Sequence, residues 1–142
     1  MPDRKASAVW EGGLKDGKGT FTGETGGIGG QYNFSSRFEQ GAGSNPEELL
    51  AAAHAACFSM ALSGKLERNG TAAQRVETNA VCTVEKAGEG FKITTMKLTT
   101  RATVPGLDAA KFQELANAAV QGCPVSQALK GNVNVQLDAA LS

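Results

Sequence analysis

The sequence has no excess of either charge: 14 Lys and Arg stand against 14 Asp and Glu in 142 residues. Proteins that bind nucleic acid usually carry a basic excess, so we expect no nucleic-acid partner. The first residues lack the apolar stretch of a secretory signal. The longest apolar-rich run, residues 49–62, is shorter than the roughly 20 residues that span a bilayer. These absences predict a cytoplasmic protein that does not bind membranes.

Side chains that bind transition metals are also scarce, with one histidine and three cysteines. The spacing of His54, Cys57, Cys82 and Cys123 matches no common zinc motif, so we expect no metal site. An odd number of cysteines argues against a fold held only by paired disulfides. Cys82 falls on the apolar face of a predicted strand and is expected to be inert core.

The length and the hydrophobic fraction of 41% predict one folded domain over residues 1–142. Helical and alternating patterns follow one another, which predicts the α+β class. Strands are expected at residues 7–11, 19–23, 75–85, 91–104 and 132–138, with a β-bulge near Thr94 and Thr95 where the alternation changes phase. The glycines of Gly26–Gly30 are expected to form a mobile surface loop, because no Gly-Lys-Ser/Thr follows to make a phosphate cradle.

The clearest element is a long helix that begins after Asn45 and ends before Gly70. Its stretch LLAAAHAACFSMAL is apolar on nearly every face. A helix of this kind must be covered all round. In so small a chain, we expect a partner subunit to cover its second side.

A second helix is predicted between Asp108 and Gly122, and Cys123 then caps a short helix opened by Pro124. From the residues alone, the thiol at the helix start is expected to ionise more readily and Cys57 to be the more buried of the two.

A buried thiol ionises only beside a cation. Arg37 is a candidate for that cation, and an ordinary surface arginine is the alternative. His54 lies three residues before Cys57 and is expected to be a packed, hydrogen-bonded histidine. The alternative is a Cys–His pair of an acyl hydrolase.

Four stretches of the sequence carry a resemblance to a known family: AVWEG, RFEQGAGSNPEELLAAAHAACFSMAL, TVPGLDAAKF and GCPVSQAL. They resemble the OsmC branch of the OsmC/Ohr family of thiol peroxidases over nearly the whole chain. The resemblance implies an OsmC-like fold of antiparallel β-sheets around a long buried central helix. It also implies an intertwined homodimer with active sites at the subunit interface.

The same resemblance implies the chemistry. Cys57 matches the peroxidatic cysteine and Cys123 the resolving cysteine, which reverses the ranking of the two thiols given above. Arg37 and Glu47 match the pair that activates the thiolate. The implied reaction reduces organic hydroperoxides, and hydrogen peroxide less efficiently, in oxidative and osmotic stress defence. A dithiol such as a lipoylated protein would restore the thiols, without metal, haem or flavin.

Glu47 and Cys57 are ten residues apart on the predicted helix, which is about 15 Å along its axis. If both serve one site, Glu47 is expected closer to the Cys57 of a partner subunit than to its own. Two rival hypotheses remain: a non-enzymatic, stress-related binding domain whose cysteines only pack, and the acyl hydrolase that would use His54 and Cys57.

Overall fold

The structure is a computed structural model that describes residues 1–142. Its contacts divide the chain into two compact units, Met1–Leu49 and Leu50–Ser142. The elements in chain order are β1 (Ala6–Glu11), β2 (Lys18–Gly23), β3 (Gly29–Tyr32), α1 (Phe34–Phe38), α2 (Pro46–Arg68), β4 (Arg75–Ala87), β5 (Gly90–Thr103), α3 (Ala109–Gly122), α4 (Pro124–Leu129) and β6 (Asn134–Leu141). The predicted α+β class is confirmed, and the single domain over residues 1–142 stays a prediction.

In the first unit, β1, β2 and β3 form an antiparallel sheet in sequence order. The loop predicted over Gly26–Gly30 is only partly confirmed. Residues 24–28 form the turn, but Gly29 and Gly30 belong to β3. A Cβ added at Gly30 would lie 3.2 Å from the Phe21 ring, so glycine lets that aromatic side chain pack against the strand. The mobility of the loop stays a prediction.

The residues around Arg37, which show no helical periodicity in the sequence, form the short helix α1. Its start is fixed by a capping box: the Asn33 side chain accepts from the Ser36 amide at 2.8 Å, and the Asn33 amide donates to Ser36 Oγ at 2.9 Å. A five-residue helix is too short to show a period, so only this cap could have predicted it.

In the second unit, β4 and β5 form an antiparallel hairpin. Thr83 pairs with Thr95 and Val84 with Ile93, so Thr94 has no partner residue and the predicted bulge is confirmed. β6 pairs with β5 in parallel, which corrects the prediction of antiparallel sheets at this edge. Parallel neighbours need a crossover connection, and α3 and α4 supply it.

Helix α2 is unbroken over 23 residues. Phe58, Leu62 and Leu66 are fully buried and contribute to the core of the second unit, whose other fully buried large apolar side chains are Met96, Leu98 and Phe112. The opposite face is exposed, and the Met60 side chain extends from it. The second unit therefore buries one side of α2 only, and the partner that would cover the other side stays a prediction.

Helix α2 is also long and apolar enough, by length and composition, to cross a membrane. The apolar run in the sequence ends at Leu62, whereas the helix continues to Arg68 and is therefore longer than that run. Core helices of soluble proteins can have the same length and composition. Phe58 and Leu62 pack in the core of the second unit, although only 22% of the apolar stretch of α2 is buried.

Candidate active site

Arg37 and Glu47 form a forked ion pair in the first unit. Arg37 Nη2 donates to Glu47 Oε1 at 2.9 Å, and Arg37 Nε donates to the two carboxylate oxygens at 3.2 and 3.3 Å. The Glu47 side chain is only 7% exposed, whereas that of Arg37 is 38% exposed. A buried carboxylate needs such a partner. The pair therefore holds the guanidinium in one orientation while part of it still faces solvent.

Hydrogen bonds between the two helix starts position this pair. Asn45 Nδ2 donates to the Ser36 carbonyl at 2.9 Å, and Asn45 Oδ1 accepts from the Glu48 amide at 2.7 Å. Ser36 Oγ donates to the Ser44 carbonyl at 2.8 Å. One asparagine thus caps α2, which carries Glu47, and also anchors α1, which carries Arg37.

Cys57 and Cys123 come together in the second unit, although they are far apart in sequence. Burial raises the pKa of the Cys57 thiol, a hydrogen bond with the Val125 backbone lowers it, and the interaction with the Cys123 thiol raises it further. None of these contributions comes from a positive charge. Neither cysteine is in a disulfide. Two interacting thiols of this kind can be oxidised to a disulfide and reduced again.

The relative burial of the two thiols corrects the expectation from sequence. Cys123 is fully buried and Cys57 is half-buried, the reverse of the predicted order. The reason is local. The Cys123 amide donates to the Ala119 carbonyl at the end of α3, and its sulfur accepts from the Ser126 amide at the start of α4. The junction of these two helices encloses the side chain.

His54 is a buried, hydrogen-bonded histidine, as predicted. Its Nε2 lies 2.7 Å from Ser126 Oγ, and its Nδ1 is buried without a partner. Burial lowers the pKa of His54. The ring is therefore engaged with Ser126 and not with Cys57, so the geometry gives no support to the Cys–His pair of an acyl hydrolase.

Ser126 is the site residue that the sequence analysis did not single out. Its hydroxyl is 3.2 Å from Cys123 Sγ and thus connects that thiol with His54. Part of the signal was present, because the residue three positions after a helix-capping cysteine places its backbone amide on the cap side chain. The contact of the Ser126 hydroxyl with the sulfur has no such signal.

The third cysteine, Cys82, is half-buried on β4 and packs against the hydrophobic core. This agrees with its predicted role as part of the core. No three side chains of the His, Cys, Asp or Glu type are placed together as metal ligands.

Comparisons with known proteins agree with the resemblance. Residues 39–138 match the family model described as OsmC-like protein, a range that contains Glu47, Cys57 and Cys123 and begins just after Arg37. The chain is 46% identical over 133 residues to "Peroxiredoxin OsmC" of Escherichia coli, covering 93% of each protein. It is 41% identical over 98 residues to "Organic hydroperoxide resistance protein OhrB" of Bacillus subtilis, covering 68% of this chain and 69% of that protein.

The crystal structure of that Bacillus subtilis protein superimposes with a TM-score of 0.75 at 31% sequence identity, covering 96% of this chain and 98% of the other. A second crystal structure, described as an organic hydroperoxide resistance protein OsmC from Legionella pneumophila, gives a TM-score of 0.72 at 26% identity over 96% of each chain. The predicted OsmC-like fold is thereby confirmed. By its fold, and by sequence over most of its length, the chain belongs to the OsmC-like protein family.

Proposed function

We propose that this protein is a thiol peroxidase that reduces organic hydroperoxides to alcohols and, less efficiently, hydrogen peroxide to water. The observation that carries the proposal is the interaction between the Cys57 and Cys123 thiols. The names of the relatives, a peroxiredoxin and an organic hydroperoxide resistance protein, support the same activity. The second name also supports a role in defence against oxidative stress, whereas the expected role in osmotic stress stays a prediction.

The proposed reaction has three steps. The Cys57 thiolate attacks the outer oxygen of the peroxide; the O–O bond breaks, the alcohol leaves with a proton, and Cys57 becomes a sulfenic acid. Cys123 attacks the Cys57 sulfur, so that a disulfide forms and water leaves. An external dithiol then reduces the disulfide and is itself oxidised. The thiols carry both electrons, and no step calls for a metal, haem or flavin.

An aromatic cavity beside Arg37 supports an apolar substrate. This cavity of about 260 Å³ lies within the first unit, and its lining residues include Arg37 together with Trp10, Leu14, Tyr32, Phe34 and Phe38. The Arg37 guanidinium carbon lies 5.1 Å from the centre of the Phe38 ring. An organic hydroperoxide has an apolar body and one polar end, which suits aromatic walls with a cation at the edge.

Activation of Cys57 calls for a positive charge, because burial raises the pKa of this thiol. We assign that charge to Arg37, held by Glu47. Glu47 and Cys57 lie about 15 Å apart along the continuous helix α2. Each site is therefore proposed to combine the Cys57 and Cys123 of one subunit with the Arg37–Glu47 pair of its partner in a homodimer. The exposed apolar face of α2 supports such an assembly.

We place the protein in the cytoplasm. The proposed redox pair cycles between thiols and a disulfide, which suits a reducing compartment. There the natural reductant would be a dithiol, with a lipoylated protein as the favoured candidate. The peroxide and the reductant used in the cell are questions for comparative steady-state kinetics with several peroxides and with dithiothreitol or lipoyl donors.

Consumption of cumene hydroperoxide in the presence of dithiothreitol tests the proposal. Cys57→Ser is expected to abolish turnover, because it removes the attacking sulfur. In a separate sample without dithiothreitol, Cys123→Ser should still consume one equivalent of peroxide and then hold a Cys57 sulfenic acid that a 1,3-diketone traps. Cys82→Ser is the matched control and is expected to react like the wild type. Full activity of Cys57→Ser would reject Cys57 as the attacking residue, and a wild type without turnover would favour the non-enzymatic binding domain.

A further inference from the structure

Three buried side chains from α2 and the α3–α4 junction form one continuous hydrogen-bond chain. His54 Nε2 is 2.7 Å from Ser126 Oγ, and Ser126 Oγ is 3.2 Å from Cys123 Sγ. His54 and Cys123 are fully buried, and Ser126 is 7% exposed. The backbone amide of Ser126 also points to the same sulfur, at 3.4 Å. The chain therefore ends on the sulfur of the resolving cysteine.

The unpartnered nitrogen of His54 sets the direction of these bonds. Nδ1 is buried and has no hydrogen-bond partner. A buried N–H without an acceptor is rarer in proteins than an acceptor without a donor, so the proton belongs on Nε2. Nε2–H then donates to Ser126 Oγ. The single hydroxyl hydrogen of Ser126 is left to point at Cys123, whose sulfur accepts from both the hydroxyl and the amide.

We propose that His54 and Ser126 form a donor chain that stabilises the Cys123 thiolate for its attack on the Cys57 sulfenic acid. The inference rests on the proposed function, because it concerns the resolving step of that mechanism. Ser126 touches the reacting sulfur and is a catalytic residue. His54 acts through Ser126 and is a positioning residue.

In the resolving step, an S–S bond replaces the S–O bond of the sulfenic acid. The proton of the Cys123 thiol passes to solvent. The thiolate attacks the Cys57 sulfur, the S–S bond forms and the S–O bond breaks. The oxygen leaves as hydroxide, which takes up a proton from solvent to become water. The sulfenic sulfur of Cys57 is reduced while the sulfur of Cys123 is oxidised.

A histidine that acted as a base would have to become a cation in a fully buried position. Burial lowers the pKa of His54, which opposes that change. A neutral donor meets no such penalty. The two roles differ in a testable way, because a glutamine amide can donate from the place of Nε2 but cannot take up a proton there.

The experiment measures two rates in the same sample: the formation of the Cys57 sulfenic acid and the formation of the disulfide. The reduced full-length protein is mixed with one equivalent of cumene hydroperoxide without reductant and quenched over time. A 1,3-diketone and an alkylating reagent, read by mass spectrometry, count the sulfenic acid and the remaining thiols. The variants are Ser126→Ala, His54→Leu and His54→Gln. Ser59→Ala is the matched control, because it also removes a hydroxyl hydrogen bond, the 2.7 Å bond to Thr78.

Ser126→Ala and His54→Leu are expected to slow disulfide formation roughly 10-fold or more, as for a lost hydrogen bond to a charged group, with sulfenic acid formation unchanged. In His54→Gln and Ser59→Ala, the disulfide should form at nearly the wild-type rate. A normal resolving rate in Ser126→Ala would overturn the proposal, even if His54→Leu does not fold. If disulfide formation is slowed as much in His54→Gln as in Ser126→Ala, the role of His54 as a donor is overturned. A wild type that consumes peroxide but forms no disulfide would overturn the resolving role of Cys123, and this inference with it.

Discussion

If each active site is shared between subunits, two inactive variants should restore each other's activity. One variant carries Cys57→Ser. The other carries Arg37→Ala together with Glu47→Gln, so that no buried carboxylate is left unpaired when the guanidinium is removed. The prediction rests on helix α2, which separates Cys57 by about 15 Å from Glu47, the residue that holds Arg37.

In a mixed dimer, one site combines the intact Cys57 of one subunit with the intact Arg37–Glu47 pair of the other. The second site carries both defects. Random mixing gives mixed dimers in about half of the population, each with one working site, so about a quarter of the wild-type activity is expected.

The assay is peroxide consumption with a dithiol donor, after the two differently tagged chains are unfolded together and refolded. Each variant refolded alone provides the baseline. A mixture no more active than these baselines would refute the shared site, because sites contained within one subunit are all defective in the mixture.

Three further predictions concern stability. Because burial lowers the pKa of His54 from 6.5, the unfolded chain binds this proton at a higher pH than the folded chain. The free energy of unfolding should therefore fall as the pH drops below 6.5 through the folded-state pKa. Urea unfolding at several pH values measures this fall. An equal fall in His54→Gln would assign it to another titrating group. The Asp108 side chain accepts from the Lys111 amide at 2.8 Å at the start of α3, so Asp108→Ala should cost about 1 kcal/mol of stability and leave peroxide turnover unchanged. Asn45→Ala should lower both stability and turnover, since this side chain also holds the Ser36 carbonyl of α1, and equal turnover in the two variants would count against that link.

The elements that the sequence predicted well have local causes. The caps and the apolar run define α2, and the phase change in the alternation locates the bulge at Thr94. The direction of β6 has no such signal, because a strand has the same alternation whether its neighbour runs parallel or antiparallel. Helix α1 was missed for a similar reason, since it depends on a cap and on a bond from Ser36 to Ser44 rather than on a period.

The residues of the candidate site also differ in how well the sequence could predict them. Spacing alone could not show which of Cys57 and Cys123 is more buried, because their burial depends on how α3 and α4 meet. The structure reverses the order of burial that was expected from the residues. The pairing of Arg37 with Glu47 came from the family resemblance, and the structure brings the two side chains together. Ser126 emerged only from its contacts with two other buried residues.

The parallel pairing of β5 and β6 has a consequence for the order of folding. The β4–β5 hairpin closes across residues 88–89, whereas β6 can join β5 only after residues 104–133 have been brought back over the sheet. Closing the longer loop costs more entropy and is the slower event. Cys123 lies within that loop, and its core neighbours include Ala139 of β6. We therefore expect its thiol to stay open to solvent until late in folding. A newly made chain is then expected to be most exposed to wrong disulfides before β6 has paired with β5.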